Sequence, residues 1–270
     1  MKRSVIRRKS MITKAPTNAE PALVQPEHRA LFRGLADSTS IDVPPQLRHA
    51  FLEYGKKGFR GFPWREPGMA PYPLLLAELL LVQTKASDVA LIWPKLINRY
   101  PTPALLARAT VSALSKLLRP LGLQNQRTKA LRSLAKYLEQ EWAGRIPSNI
   151  IDLLSLPHVG LYAAAAVSCF GHGERIPIVD TNVLRVLTRI FGLPIQRELR
   201  RSRKAWAIAW ALLPKEQIKE HNYALLDFAA QVCTPKSPKC TTCHIKTSCV
   251  YGLARPVTQA HKDNTPTSDL

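Results

Sequence analysis

Four cysteines near the C-terminal end, Cys233, Cys240, Cys243 and Cys249, are separated by six, two and five residues. Thiolates that close along a chain complete a four-sulfur set within one loop, and the spacing alone suits an iron–sulfur cluster or structural zinc. A second group of reactive side chains lies upstream, in the stretch Ile151 to Phe191. Its LPHVG turn joins a short apolar segment, Ile151 to Leu156, to a small-residue helix, Leu161 to Phe170. Gly160 frees the backbone N–H groups at the start of that helix, and with the positive end of the helix dipole they form an anion site that suits a DNA phosphate. Asp180 follows at the mouth of another amphipathic helix, Thr181 to Phe191, where a carboxylate serves as a cap or as a reactive group. Glu78 is a lone carboxylate inside PLLLAELLLVQT. Such a group lies on a wet helix face or is paired or used, because burial without a partner is costly.

The elements that position these residues read as helices almost throughout. Pro44 and Pro45 precede a first helix, about Gln46 to Tyr54. The loop GKKGFRGFPWREPGMAPYP follows, with Trp64 as an expected core residue. The Glu78 helix begins near Pro73. Helices continue through Ala90 to Arg99, Pro103 to Ala109 and Val111 to Leu118. After the loop LGLQNQR a longer helix, about Thr128 to Ala143, places Leu131, Leu134, Leu138 and Trp142 at the 3.6-residue period, with Gly144 suited to its end. The four alanines Ala163 to Ala166 allow close packing beside the hairpin, and Cys169 on the same helix reads as a small core residue. Two further helices contain Trp206 with Trp210, and Ile218 to Val232. No alternating strand and no internal repeat stands out.

The bulk composition narrows the partner. The 270 residues include 39 Lys and Arg against 19 Asp and Glu, a formal charge of +20 that favours a polyanion. Six of the basic residues fall in the first 19 positions without an acid, a pattern shared by disordered basic arms and, loosely, by organelle transit peptides. The longest apolar run, Leu74 to Val82, is broken by Glu78 and falls short of the roughly 18 residues that cross a bilayer. Five cysteines, four of them clustered, argue for metal or cluster ligation in a reducing compartment rather than a secreted disulfide framework.

LPHVGLYAAAAV followed by VDTNV, with the cysteine spacing as a second and independent motif, resembles the helix-hairpin-helix DNA glycosylases of the endonuclease III type, over roughly residues 45 to 252. Within that superfamily the chain looks closest to the thymine- and adenine-specific mismatch glycosylases. The PWR triplet recurs in those mismatch branches, and GLQNQR resembles the thymine branch. The resemblance implies a [4Fe–4S] cluster on Cys233, Cys240, Cys243 and Cys249, in a loop whose Lys236, Lys239 and Lys246 contact the phosphate backbone. It implies that Asp180 is the catalytic carboxylate, oriented by Asn182, and that Glu78 faces the base pocket. Tyr162 stands where bifunctional members hold a Schiff-base lysine, which implies a monofunctional, water-using enzyme. Gln83 and Leu123 match the positions that fill the duplex when a base is flipped out, and Gln126, His158, Val159 and Gly160 fall beside them on the DNA-facing side.

Two departures stand out. His158 replaces the hairpin's usual first glycine, so its backbone need not take the same angles. Val82 replaces a Gln or Arg just before Gln83, which bears on reading of the opposite base.

The expectation is therefore an all-α, two-lobed fold with a C-terminal cluster loop. A six-helix barrel lobe spans 73–190, and a cluster-bearing lobe combines 44–72 with 191–232. The cluster loop spans 233–252, between a basic leader at 1–43 and a polar tail at 253–270. The expected activity is removal of thymine or uracil opposite guanine from double-stranded DNA, by a monomer in the cytoplasm at the nucleoid. The alternatives are adenine opposite guanine or 8-oxoguanine, and a non-catalytic binder of damaged DNA.

Overall fold

The computed structural model describes residues 31–32, 41–194 and 203–254. Most of the expected leader and tail, and the segment 195–202, lie outside these residues. Leu31 and Val43 are buried, and Phe32 meets Trp206 edge-on at 5.2 Å.

All regular structure among the described residues is helical. Helix α1 (Pro45–Gly55) leads into a loop with one 3₁₀ turn at Pro63–Arg65. Helix α2 (Pro71–Leu81) begins with proline, whose missing N–H is no loss in a first turn. Its leucines face neighbours all round: Leu74, Leu75, Leu76 and Leu80 have no exposed surface. The helix is thus the spine of the core rather than an amphipathic surface element. Helices α3 (Ala86–Arg99), α4 (Pro103–Ala107) and α5 (Val111–Leu118) follow, the last two capped by the hydroxyls of Thr102 and Thr110.

Helix α6 (Gln124–Trp142) starts four residues before the sequence suggests. Leu123 takes a left-handed conformation (φ 50°) that starts the helix, and Ala143 and Gly144 are both left-handed at its end. Helices α4 and α5 pack on it. The hairpin consists of α7 (Ile150–Ser155) and α8 (Leu161–Ala166). The expected helix through Phe170 changes character at Val167, where Val167–Gly171 forms a wider π turn. Gly171 sits against Pro71, and a Cβ there would come within 3.2 Å of the proline ring.

Helix α9 (Thr181–Phe191) matches its expected bounds and ends at left-handed Gly192. Helices α10 (Arg203–Leu212), α11 (Ile218–Gln231) and α12 (Val250–Leu253) complete the set. The chain closes on itself where α1 packs along α11, with Phe51, Tyr54 and His244 gathered around Phe228. On α11, the buried Asn222 accepts from the N–H of Ile178 at 3.2 Å and donates to the carbonyl of Ile176 at 3.0 Å. That side chain fixes the strandless segment leading to Asp180. No described helix is long and apolar enough to cross a membrane.

His221, also on α11, is fully buried against Phe51, and neither ring nitrogen has a hydrogen-bond partner. Burial, and secondarily the charge of Arg48, lower its pKa from 6.5 to about 4. Between those values the unfolded chain binds a proton that the folded chain refuses. The His221 contribution to stability is therefore complete above about pH 6.5 and is lost as pH falls toward 4, up to about 3 kcal/mol. Denaturant unfolding at pH 7 and pH 4.5 should show this loss for the wild type, and a smaller loss for His221→Leu.

Candidate active site

Three expected site residues, from separate helices, meet in one cavity of about 310 Å³: Glu78, Tyr162 and Asp180. Asn182, Arg65 and Tyr223 also line it. Glu78 is not on a wet face: it is only 3% exposed, and Oε2 has no partner. Burial raises its pKa to about 7; the Tyr162 hydroxyl and the charge of Arg65 pull it down, and Asp180 pushes it up. A carboxyl so placed is shared between its protonated and ionised forms near neutrality, and the protonated form can donate a proton or a hydrogen bond. The Tyr162 phenol is driven well above its ordinary pKa by burial, then by the charges of Glu78 and Asp180. It therefore remains a neutral donor.

Asp180 is both a cap and a cavity residue. Its Oδ1 accepts from the Val183 N–H at 2.6 Å, and its Oδ2 accepts from the Asn182 amide at 2.8 Å. Asn182 in turn accepts from Arg185 at 3.0 Å, and Arg185 donates to the carbonyls of Cys233 and Ala229. One turn further, Arg189 donates to Thr234 and Pro235 carbonyls and lies 3.3 Å from the Cys233 sulfur. Helix α9 thus carries the carboxylate at one end and grips the cysteine loop along its length.

Cys233, Cys240, Cys243 and Cys249 line one small cavity. Among the described residues no three His, Cys, Asp or Glu side chains converge on a single ion position. Burial raises the thiol pKa of Cys243 and Cys249, and the other cysteines of the set add to it. Lys236 and Lys239 are exposed on this loop, whereas Cys169 is buried on the hairpin side, 3.3 Å from the Asn222 amide.

The remaining expected residues lie at the rim. Gln83 and Leu123 are exposed, and both have left-handed backbones, φ 56° and 50°. Leu123, Gln126 and His158 line a neighbouring depression of about 430 Å³, together with Val82. The two tips share an anchor that sequence reasoning missed. Arg127, 7% exposed, donates to the carbonyls of Leu80 and Val82, each at 3.0 Å, to that of Gly122 at 3.0 Å, and to the Thr84 hydroxyl. These bonds consume the last carbonyls of α2, which is why the helix stops at Leu81 instead of running through Thr84. His158 does adopt the glycine-like conformation, with φ 65°, and its ring lies 3.0 Å from Ser133 Oγ. The Val159 side chain is buried and its N–H closes the turn on Leu156, while Gly160 is exposed.

The support of the cavity-lining Arg60 and Arg65 was also missed. Asp227, 1% exposed on α11, accepts from Arg60 and Arg65 of the distant PWR loop. The signal was present in ALLDFAA, a carboxylate in an apolar helix like that of Glu78.

The family model described as "HhH-GPD superfamily base excision DNA repair protein" matches residues 76–209, which include Glu78, the hairpin and Asp180. A thymine/uracil-DNA glycosylase of Pyrobaculum aerophilum is 39% identical over 211 residues, 76% of this chain and 91% of that protein. An adenine DNA glycosylase of Mycobacterium tuberculosis is 36% identical over 193 residues, 71% of this chain and 63% of that protein. Among solved structures, a thermostable thymine-DNA glycosylase is similar with a TM-score of 0.74 and 32% identity, covering 78% of this chain and 99% of that one.

The electrostatic account of Glu78 has opposite consequences for two neighbours. Tyr162→Phe removes a hydrogen bond that lowers the Glu78 pKa, so the value should rise above about 7; Asp180→Asn removes a charge that raises it, so the value should fall. Carboxyl-carbon NMR titration of the two variants checks both directions.

Proposed function

The chain belongs to the HhH-GPD superfamily of base excision DNA repair proteins, and from that premise we propose that it is a monofunctional DNA glycosylase releasing thymine or uracil opposite guanine. The observation that carries this reading is the shared cavity of Glu78, Tyr162 and Asp180, in which no lysine lies among the described lining residues. The target base must leave the stack to reach such a cavity. Gln83 would fill the vacated position, Leu123 would wedge beside the orphaned partner, and the hairpin around Gly160 would hold a backbone phosphate. Basic residues of the body and of the cysteine loop supply affinity that is independent of sequence.

Cleavage of the N-glycosidic bond leaves positive charge on the sugar. The Asp180 carboxylate, held by Val183 N–H and Asn182, stabilises that cation and orients the incoming water. As the C–N bond breaks, the electron pair leaves with the base, and Glu78 supplies the proton that the base takes up. The water oxygen bonds to the sugar carbon and its proton passes to a carboxylate, so the strand stays intact. Tyr162 has no amine and forms no imine.

The four cysteines fit a [4Fe–4S] cluster. Four thiols within one loop, all lining one cavity, supply the donor set that such a cluster needs. Their mutual repulsion as thiolates is what a bound cationic centre relieves. The cluster's contribution here is structural, shaping the loop that displays Lys236 and Lys239. The protein would act as a monomer at cellular DNA. The adenine glycosylase relative keeps adenine opposite guanine or 8-oxoguanine as the second reading.

Two experiments test these assignments. Duplexes carrying T, U or A opposite G should show release of the pyrimidines, with strand breaks only after alkali. Asp180→Asn should bind the same duplexes and lose release on the order of a hundredfold or more. Borohydride should trap no wild-type adduct; an adduct mapped to an internal lysine would overturn the monofunctional reading. Separately, the purified protein should absorb near roughly 400 nm and carry about four irons per chain, against stoichiometric zinc if the cluster assignment is wrong.

A further inference from the structure

Two short segments that meet the duplex in the reading above hold backbone conformations that their residue types disfavour. Gln83 is left-handed at φ 56°, just beyond the end of α2, and Leu123 is left-handed at φ 50°, just before α6. A residue other than glycine keeps that conformation only where its surroundings fix it. Both segments converge on one side chain. Arg127, 7% exposed, divides its guanidinium between them. On the Leu123 side, Nε donates to the Gly122 carbonyl at 3.0 Å. On the Gln83 side, Nη1 donates to the Leu80 carbonyl at 3.0 Å, and Nη2 donates to the Val82 carbonyl at 3.0 Å and to the Thr84 hydroxyl. The bonds thus fall on the residue just before each left-handed position and, at Thr84, on the residue just after one. Val82, Leu123 and Arg127 line the same depression.

We propose that Arg127 is a positioning residue that sets Gln83 and Leu123 together for entry into the duplex, through one guanidinium bound to both loops. This rests on the insertion roles given to those two residues above. The planar fork makes the coupling geometric: its nitrogens are rigidly related, so a shift of Gly122 relative to Val82 strains a bond at one end of the plane or the other. Extrusion of a base needs the gap filled and the orphaned partner supported in one event. Loops already held in that arrangement need not be ordered during extrusion, which lowers its cost. A lysine here would concentrate its donors on one nitrogen and could not span both loops in the same way. Arg127 touches no DNA in this role. Its effect falls on extrusion, not on the sequence-independent affinity that basic surface residues supply.

The test is a mutant cycle in the full chain. Extrusion is read by a fluorescent base analogue placed beside an uncleavable uridine opposite guanine, and release by single turnover on U·G duplexes. Affinity for an undamaged duplex reports that the fold and the phosphate contacts persist. Arg127→Met should lower extrusion and release on the order of tenfold to a hundredfold, the scale of hydrogen bonds lost from a charged group, with affinity for the undamaged duplex as in the wild type. Arg127→Lys should fall between. In a Gln83→Ala, Leu123→Ala background, Arg127→Met should add less than about twofold, because nothing remains to be positioned. Wild-type extrusion by Arg127→Met overturns the proposal, and so does a full additional fall in that background. Should Arg127→Met fail to fold, Arg127→Lys runs the same cycle under the same criterion. A Gln83→Ala, Leu123→Ala variant that extrudes like the wild type overturns the proposal and leaves the glycosylase standing. A wild type that releases no base from any mismatched duplex defeats the glycosylase reading instead, and the extrusion cycle still decides the role of Arg127.

Discussion

The bond from the Val183 N–H to Asp180, 2.6 Å long, ties a cavity-lining carboxylate to the start of a helix. A capping side chain has little rotational freedom, because it must stay within reach of the first turn. Its second oxygen is fixed by Asn182, so the carboxylate presents a set direction to the cavity before any ligand arrives. Helix α9 then carries this order outward. Arg185 and Arg189 lie on successive turns and bind carbonyls of the cysteine loop. A shift of that loop is felt along the helix, and a shift of the helix is felt at its cap.

Against this fixed carboxylate stands another whose chemistry is set by its surroundings. Glu78 emerges from a helix that is buried on every side, and burial holds its pKa near 7. Two carboxyl groups in one cavity are thus held differently, one by hydrogen bonds at a helix start and one by burial. Tyr162 is hydrogen-bonded to Glu78 and stays neutral because burial and the charges of Glu78 and Asp180 oppose its ionisation. The cavity thus sets a neutral phenol among two carboxyl groups, with the Arg65 guanidinium also in its lining.

The loops that carry Gln83 and Leu123 depend on a buried guanidinium, that of Arg127. Arg127 gathers carbonyls from the end of α2 and from Gly122, together with the Thr84 hydroxyl. The left-handed residues Gln83 and Leu123 sit next to those bonds. Two loops 40 residues apart in sequence are in this way tied together through one side chain.

Sequence alone determined what depends on neighbours along the chain. The helix Thr181 to Phe191, its Asp180 cap, the hairpin turn, the four-cysteine spacing and the absence of an amine at Tyr162 all rest on interactions within a few residues, which periodicity and side-chain chemistry reveal. The early end of α2, the π turn after Ala166 and the left-handed His158 did not follow from local propensity, because Arg127, the close approach of Pro71 and the hairpin packing override it. Only the tertiary structure decided that Glu78 is buried rather than wet, and that it meets Tyr162 and Asp180. It alone paired Arg60 and Arg65 with Asp227, across 167 and 162 residues. Those pairings arise from burial and charge compensation between distant segments, and a linear pattern carries no record of which segments the core will bring together.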